Sequence, residues 1–66
     1  MMEEMIHSDT LQVERKFFYF DLKKNQVGVF LKITEKKDER RNSIIIPESG
    51  LEEFVNKIQS LIAKKV

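Results

Sequence analysis

Three aromatic side chains, Phe17, Tyr19 and Phe30, stand where a strand would turn them away from a core, and lysines surround them. The segment Phe17-Phe18-Tyr19-Phe20-Asp21-Leu22-Lys23 alternates once its polar end sets the parity. Leu22 is apolar and Asp21 and Lys23 are not, so Phe18, Phe20 and Leu22 share one face and Phe17, Tyr19, Asp21 and Lys23 the other. In Val29-Phe30-Leu31-Lys32-Ile33-Thr34-Glu35 the same period turns Val29, Leu31 and Ile33 inward and Phe30, Lys32 and Thr34 outward. Lys23, Lys32 and Lys36 rim the aromatics, with Lys16 and Lys24 at the strand ends. Rings inside a basic rim suit unpaired nucleobases: each stacked base is worth ~1–3 kcal/mol, and the lysines neutralise phosphates. A duplex offers no free base faces, so such a surface selects single strands. Exposed aromatics on a sheet also suit a protein partner or plain cross-strand pairing, and the pattern by itself leaves these open.

Other chemistry has less to work with. The sequence pairs no nucleophile with a base, has no paired-carboxylate motif and no phosphate-cradling Gly loop, so an enzyme is not expected. His7 is the only histidine and there is no cysteine, so neither a metal nor a cofactor is expected. Met1, Met2 and Met5 read as tail, and Asp21 as a partner for a neighbouring lysine. The mixed-sign run Lys36-Lys37-Asp38-Glu39-Arg40-Arg41 reads as a solvated loop.

The elements that must hold the aromatic face fit into 66 residues, 41% hydrophobic and 35% charged. That is a globular balance and the length of one small domain. Net charge is only +1, but its distribution is uneven. Residues 9–46 carry nine Lys/Arg against six Asp/Glu, while residues 47–66 balance three against three. No apolar run approaches the ~20 residues of a membrane helix. The start, MMEEMIH, lacks the basic and apolar regions of a signal peptide. With zero cysteine, a cytoplasmic protein without a membrane partner is expected.

The last third reads as a helix. Leu51, Phe54, Val55, Ile58, Leu61 and Ile62 form one apolar stripe. Ser49 and Glu52 have capping-box spacing after Pro47. Glu52 and Glu53 suit the first turn, and Lys64 and Lys65 the last. Ahead of it, strands are expected at Leu11–Glu14, Phe17–Lys23, Val29–Glu35 and Ser43–Ile46, with Asn25 and Gly28 in a turn and residues 1–8 as a flexible tail. The predicted fold is α+β: a four-stranded antiparallel meander followed by one C-terminal helix. Ten sheet residues and six helix residues then point inward, more than one helix can cover. A homodimer sharing its core through the helix stripe is the expected answer.

The run Phe18-Tyr19-Phe20-Asp21-Leu22-Lys23-x-Asn25-x-x-Gly28-x-Phe30-Leu31-Lys32-Ile33 resembles the central signature of the PUR repeat, the unit of the purine-rich-element-binding proteins related to Pur-alpha. The similarity continues through Ile44-Ile45-Ile46 and Glu53-Phe54 and covers residues 9–63, with residues 9–66 forming one repeat. The single-repeat form is similar to bacterial Pur-alpha-like proteins. The resemblance implies a ββββα repeat, two copies intertwined through their helices, and binding of single-stranded, purine-rich DNA and RNA. It also implies contact roles for Lys23, Asn25, Phe30 and Lys32. Two positions depart from the family's pattern: Val27 and Val29 stand where basic residues flank the Gly.

The resulting expectation is a homodimeric single-strand DNA- and RNA-binding protein that regulates transcription or translation, with no small-molecule substrate. Its interface comprises Lys16, Phe17, Tyr19, Lys23, Asn25, Phe30, Lys32 and Lys36. The alternative is a protein-interaction module using the same aromatic face.

Overall fold

The computed structural model describes residues 3–65. Four strands, β1 (Glu4–Val13), β2 (Lys16–Lys24), β3 (Val29–Lys37) and β4 (Arg40–Pro47), pair antiparallel in the order β1-β2-β3-β4. A 3₁₀ turn (Glu48–Gly50) leads into the helix α1 (Leu51–Ala63). The ββββα order and the meander follow the sequence pattern.

Register puts the ten apolar strand residues on one face. Leu11 pairs with Phe18, Phe20 with Ile33, and Ile33 with Ile44; Leu22 pairs with Leu31, and Leu31 with Ile46. Val13 and Val29 complete the set by alternation.

Several boundaries differ from the sequence expectation. Residues 4–8, expected as flexible tail, belong to β1; Met1 and Met2 lie outside the described residues. The two-residue repeat slips at Ile6, where a bulge separates the pairs Met5↔Lys23 and His7↔Leu22. That slip hides the strand from a period-2 reading. The charged run 36–42 is no loop either. β3 continues to Lys37 and β4 begins at Arg40, leaving only Asp38 and Glu39 to turn the chain. Asp38 (φ 55) and Glu14 (φ 56) each take the left-handed conformation that a two-residue hairpin demands at its first turn position. Acidic side chains mark these turns where glycine would be expected.

Ser49 does not cap the helix. The 3₁₀ turn absorbs it, the N-cap is Gly50, and no side chain bonds to the helix start. A capping serine needs extended backbone one position before the helix, and here only Pro47 is extended (φ −60, ψ 150). Glu52 and Glu53 do occupy the first turn, but Lys64 and Lys65 fall just beyond the last.

The helix does not pack on its own sheet. α1 buries none of its residues, and its contacts with the strands are at most marginal. Ile58 is 47% exposed and Leu61 68%. On the apolar sheet face only Ile46, beside the turn at Gly50, is buried. The molecule is accordingly flat and long, 45 × 30 × 16 Å.

The β2–β3 connection is the tightest local design. Asn25 Oδ1 accepts hydrogen bonds from the backbone N–H groups of Val27 (2.9 Å) and Gly28 (3.2 Å). The Asn25 N–H donates to the Gly28 carbonyl at 3.0 Å. Gly28 has φ +149, which an L side chain rarely adopts, although a Cβ there would meet nothing within 4 Å. Gly28→Ala should therefore cost roughly 1–3 kcal/mol through backbone conformation alone. We expect a melting temperature lowered by at least several degrees in a circular-dichroism melt. An unchanged melt would mean that the turn relaxes without cost.

Candidate nucleic-acid interface

The face opposite the apolar one is built as four rows running across the sheet. Strand pairing aligns Gln12–Phe17–Lys36–Arg41, then Thr10–Tyr19–Thr34–Ser43, then Ser8–Asp21–Lys32–Ile45, then Met5–Lys23–Phe30–Pro47. Same-face neighbours in adjacent strands lie about 5 Å apart, so each row is a continuous surface. Four cations, Lys23, Lys32, Lys36 and Arg41, share it with Asp21 and, at the start of β1, with Glu3, whose carboxylate meets Lys23. Asp21 is held by Ser8, whose hydroxyl donates to Oδ1 at 2.8 Å, and not by the lysine partner expected from sequence.

The structure brings together Phe17, Tyr19, Lys23, Phe30, Lys32 and Lys36 on this face, as strand parity predicts. Depth differs from the expectation for one of them. Phe17 is 38% exposed and Tyr19 half-buried, but Phe30 is only 9% exposed. Phe30 sits in a central strand between Lys23 and Pro47, and the Lys23 side chain is itself mostly covered. The ring points to the expected side without standing in water. Phe17, near the open end of the sheet, is the ring with the larger free surface.

Lys16 lies apart from the group. Alternation turns it to the apolar side, where its Nζ meets Glu35 Oε2 at 2.7 Å. The hydrogen bond and charge of Glu35 raise the Lys16 pKa above its ordinary value. An ammonium already held by a carboxylate is a poor phosphate ligand. Lys23 is also paired, with Glu3 at 3.1 Å, but Glu3 is half-exposed at the strand start and can swing away. Asn25 spends its side-chain oxygen on the β2–β3 turn, so it acts first by shaping the loop beside Lys23. Val27, at the tip of that loop, is 94% exposed.

Two contributors escaped sequence reading. Arg41 stands opposite Lys36 on β4, inside a segment that reads as loop. Thr34 is buried, and its hydroxyl lies 3.0 Å from that of Ser43, tying β3 to β4 beneath the aromatic row. The strand extension from Arg40 is the signal that would have found Arg41; Thr34 is read as outward, and its burial comes from the register with Ser43. His7 falls on the opposite, apolar side, paired with Leu22. Among the described residues no three His, Cys, Asp or Glu side chains gather as a metal site, and no helix is long and apolar enough to cross a membrane.

A surface of this kind can stack planar rings at Phe17 and Tyr19 and neutralise phosphates along Lys32, Lys36 and Arg41. The family described as "PurA ssDNA and RNA-binding protein" matches residues 1–65. The chain is 55% identical over 49 residues to Transcription factor Pur-alpha 1 of Arabidopsis thaliana, covering 74% of this chain and 17% of that protein. It is 43% identical over 44 residues to Transcriptional regulator protein Pur-beta of Danio rerio (67% and 15%). It is 39% identical over 44 residues to Purine-rich element-binding protein gamma of Homo sapiens (67% and 13%). The chain thus spans less than a fifth of the length of these relatives.

The two aromatics separate by burial. Phe17→Ala should remove an accessible stacking platform worth ~1–3 kcal/mol of single-strand affinity while leaving the melting temperature nearly unchanged. Phe30→Ala, which empties a covered position, should lower the melting temperature as well. Parallel thermal melts and anisotropy titrations distinguish them. A Phe17→Ala variant that binds like wild type would remove this ring from the interface.

Proposed function

The chain belongs to the PurA family of single-stranded DNA and RNA-binding proteins, and from that premise we propose that it binds single strands itself, with the four-row sheet face as its interface. The observation that carries this reading is the separation of charge and aromatics: Phe17, Tyr19 and four cations share one face with only two acids among the described residues, Asp21 and Glu3. Bases stack on the rings, and Lys23, Lys32, Lys36 and Arg41 meet the phosphates. Asn25 orders the loop that presents Lys23. Phe30 supports the face from within and offers a base only the part of its ring left uncovered. Purine-rich strands are the proposed targets, in line with the name of the human relative, and regulation of transcription or translation the proposed role. No catalytic step belongs to this reading.

The protein acts as a homodimer. One chain leaves two apolar surfaces open: the sheet face of Leu11, Phe18, Phe20, Leu22, Leu31, Ile33 and Ile44, and the helix stripe of Leu51, Phe54, Val55, Ile58, Leu61 and Ile62. Burying apolar area is worth about 25 cal/mol per Å². A helix that projects from its own sheet can reach the sheet of a second copy, and the exchange closes both surfaces by symmetry.

Two experiments test this. In a fluorescence-anisotropy titration, a purine-rich single strand should bind more tightly than the same sequence as a blunt duplex, with affinity falling linearly in log salt. Equal affinity for the two forms would exclude a stacking site, and binding indifferent to salt would favour a protein-docking face instead. For the dimer, analytical ultracentrifugation should give two chains per particle at micromolar concentration. Ile58→Asp, which places a charge in the shared core at a cost of several kcal/mol, should abolish dimer and fold together. A folded wild-type monomer would overturn the shared core.

A further inference from the structure

The hairpin joining β3 to β4 is electrostatically unfavourable as it stands. Lys36 faces Arg41 and Lys37 faces Arg40, two consecutive like-charged cross-strand pairs. Like charges directly opposite one another destabilise a sheet. Among the described residues no carboxylate lies in ion-pair contact with any of the four. Glu35, the acid nearest in sequence on the strand, is taken by Lys16 at 2.7 Å. Asp38 and Glu39, in the turn between the pairs, form no bridge to them either.

The two pairs face opposite sides of the sheet. Lys36 and Arg41 continue the aromatic face beside Phe17. Lys37 and Arg40 lie over the end of the sheet, past the apolar block, where they line a shallow cleft with Lys16, Glu35 and Asn42. A polyanion crossing the aromatic face toward this end meets the first pair and then, passing over the edge, the second. An isolated anion does not need cations on both sides of an edge, whereas a continuous phosphodiester chain does.

We propose that the β3–β4 hairpin end is a second phosphate-contact cluster, in which Lys36, Lys37, Arg40 and Arg41 hold the backbone of the single strand as it leaves the aromatic face. The inference rests on the reading of that face as a single-strand interface. The cluster lies six residues along β3 from the Lys23–Phe30 row, roughly 20 Å at strand rise, so the footprint runs the length of the sheet. Bound phosphate relieves the repulsion that the fold leaves standing.

This predicts opposite signs for stability and binding. The double variant Arg40→Gln with Arg41→Gln should keep or raise the melting temperature of the free protein. It should weaken binding of a fluorescent purine-rich single strand by about 25-fold at about 0.1 M salt and make the log–log salt slope shallower by about 1.4, at about 0.7 per lost phosphate contact. If that variant melts below wild type, Lys37→Gln, which relieves one pair from the other strand, carries the same test with about 0.7 in slope. Lys32→Gln, on the aromatic face, and Lys57→Gln, on the helix, serve as comparisons. A slope reduced by Lys32→Gln but not by Lys37→Gln, whose residue lies outside the aromatic face, would overturn the hairpin cluster alone. A reduction by Lys57→Gln as large as theirs would do the same, because the effect would then be one of general charge. A wild-type protein that does not prefer single strands would overturn the parent reading.

Discussion

A four-stranded sheet has two faces, and this chain supplies one short helix. Every other feature follows from that shortage. The strands give one face to apolar side chains at ten positions and the other to rings, hydroxyls and cations. The helix could cover part of the first face by folding back, but it stays almost clear of the strands. The 3₁₀ turn at Glu48–Gly50 is the decisive element. It starts helical winding directly after extended Pro47, so the chain has no free residues with which to reverse over the sheet. An uncovered apolar face and an uncovered apolar stripe are costly separately and complementary together.

That division also leaves the second face open. In a monomeric α+β domain with one covered face, the open face is commonly polar and featureless. Here it must also be robust without any layer above it. The cross-strand hydroxyl contact of Thr34 with Ser43 and the hydrogen bond from Ser8 to Asp21 tie β3 to β4 and β1 to β2 on this side. Phe30, sunk among its row neighbours, adds apolar contact where the helix gives none. The ring most protected from water lies on the solvent side of the sheet, a sign that this face stabilises the sheet as well as presenting a surface.

Much of this was legible in the residues, and the failures have physical causes. The alternation in Phe17–Lys23 and Val29–Glu35 predicted which side chains share a face, because period 2 survives wherever one face is buried. It did not predict depth: parity assigns Phe30 a side, while its row partners and central strand decide how much water reaches it. β1 was largely invisible from Glu4 to Thr10, since an exposed edge strand needs no alternation and the bulge at Ile6 reverses the phase. The hairpin at Asp38–Glu39 was read as a loop because charge is the mark of solvent, and both flanking strands there carry charge on both faces. Lys16 was grouped with the basic rim by proximity in sequence, although its own alternation sends it to the other side.

Net charge concealed the organisation most of all. The whole chain sums to +1, a value that by itself suggests no polyanionic partner. Only two acids among the described residues reach the ring-bearing face: Asp21, which is held by Ser8, and Glu3, which is paired with Lys23. Glu14, Asp38 and Glu39 occupy turns, Glu52 and Glu53 the first helical turn, and Glu35 is spent on Lys16. Electrostatic recognition depends on the local field, which falls off within about 8–10 Å at physiological salt. Over that distance a strand bound to the face meets Lys32, Lys36 and Arg41 and little opposing charge, whatever the rest of the chain carries. Sorting by strand face, which sequence composition cannot register, is what turns a nearly neutral protein into one with a basic surface.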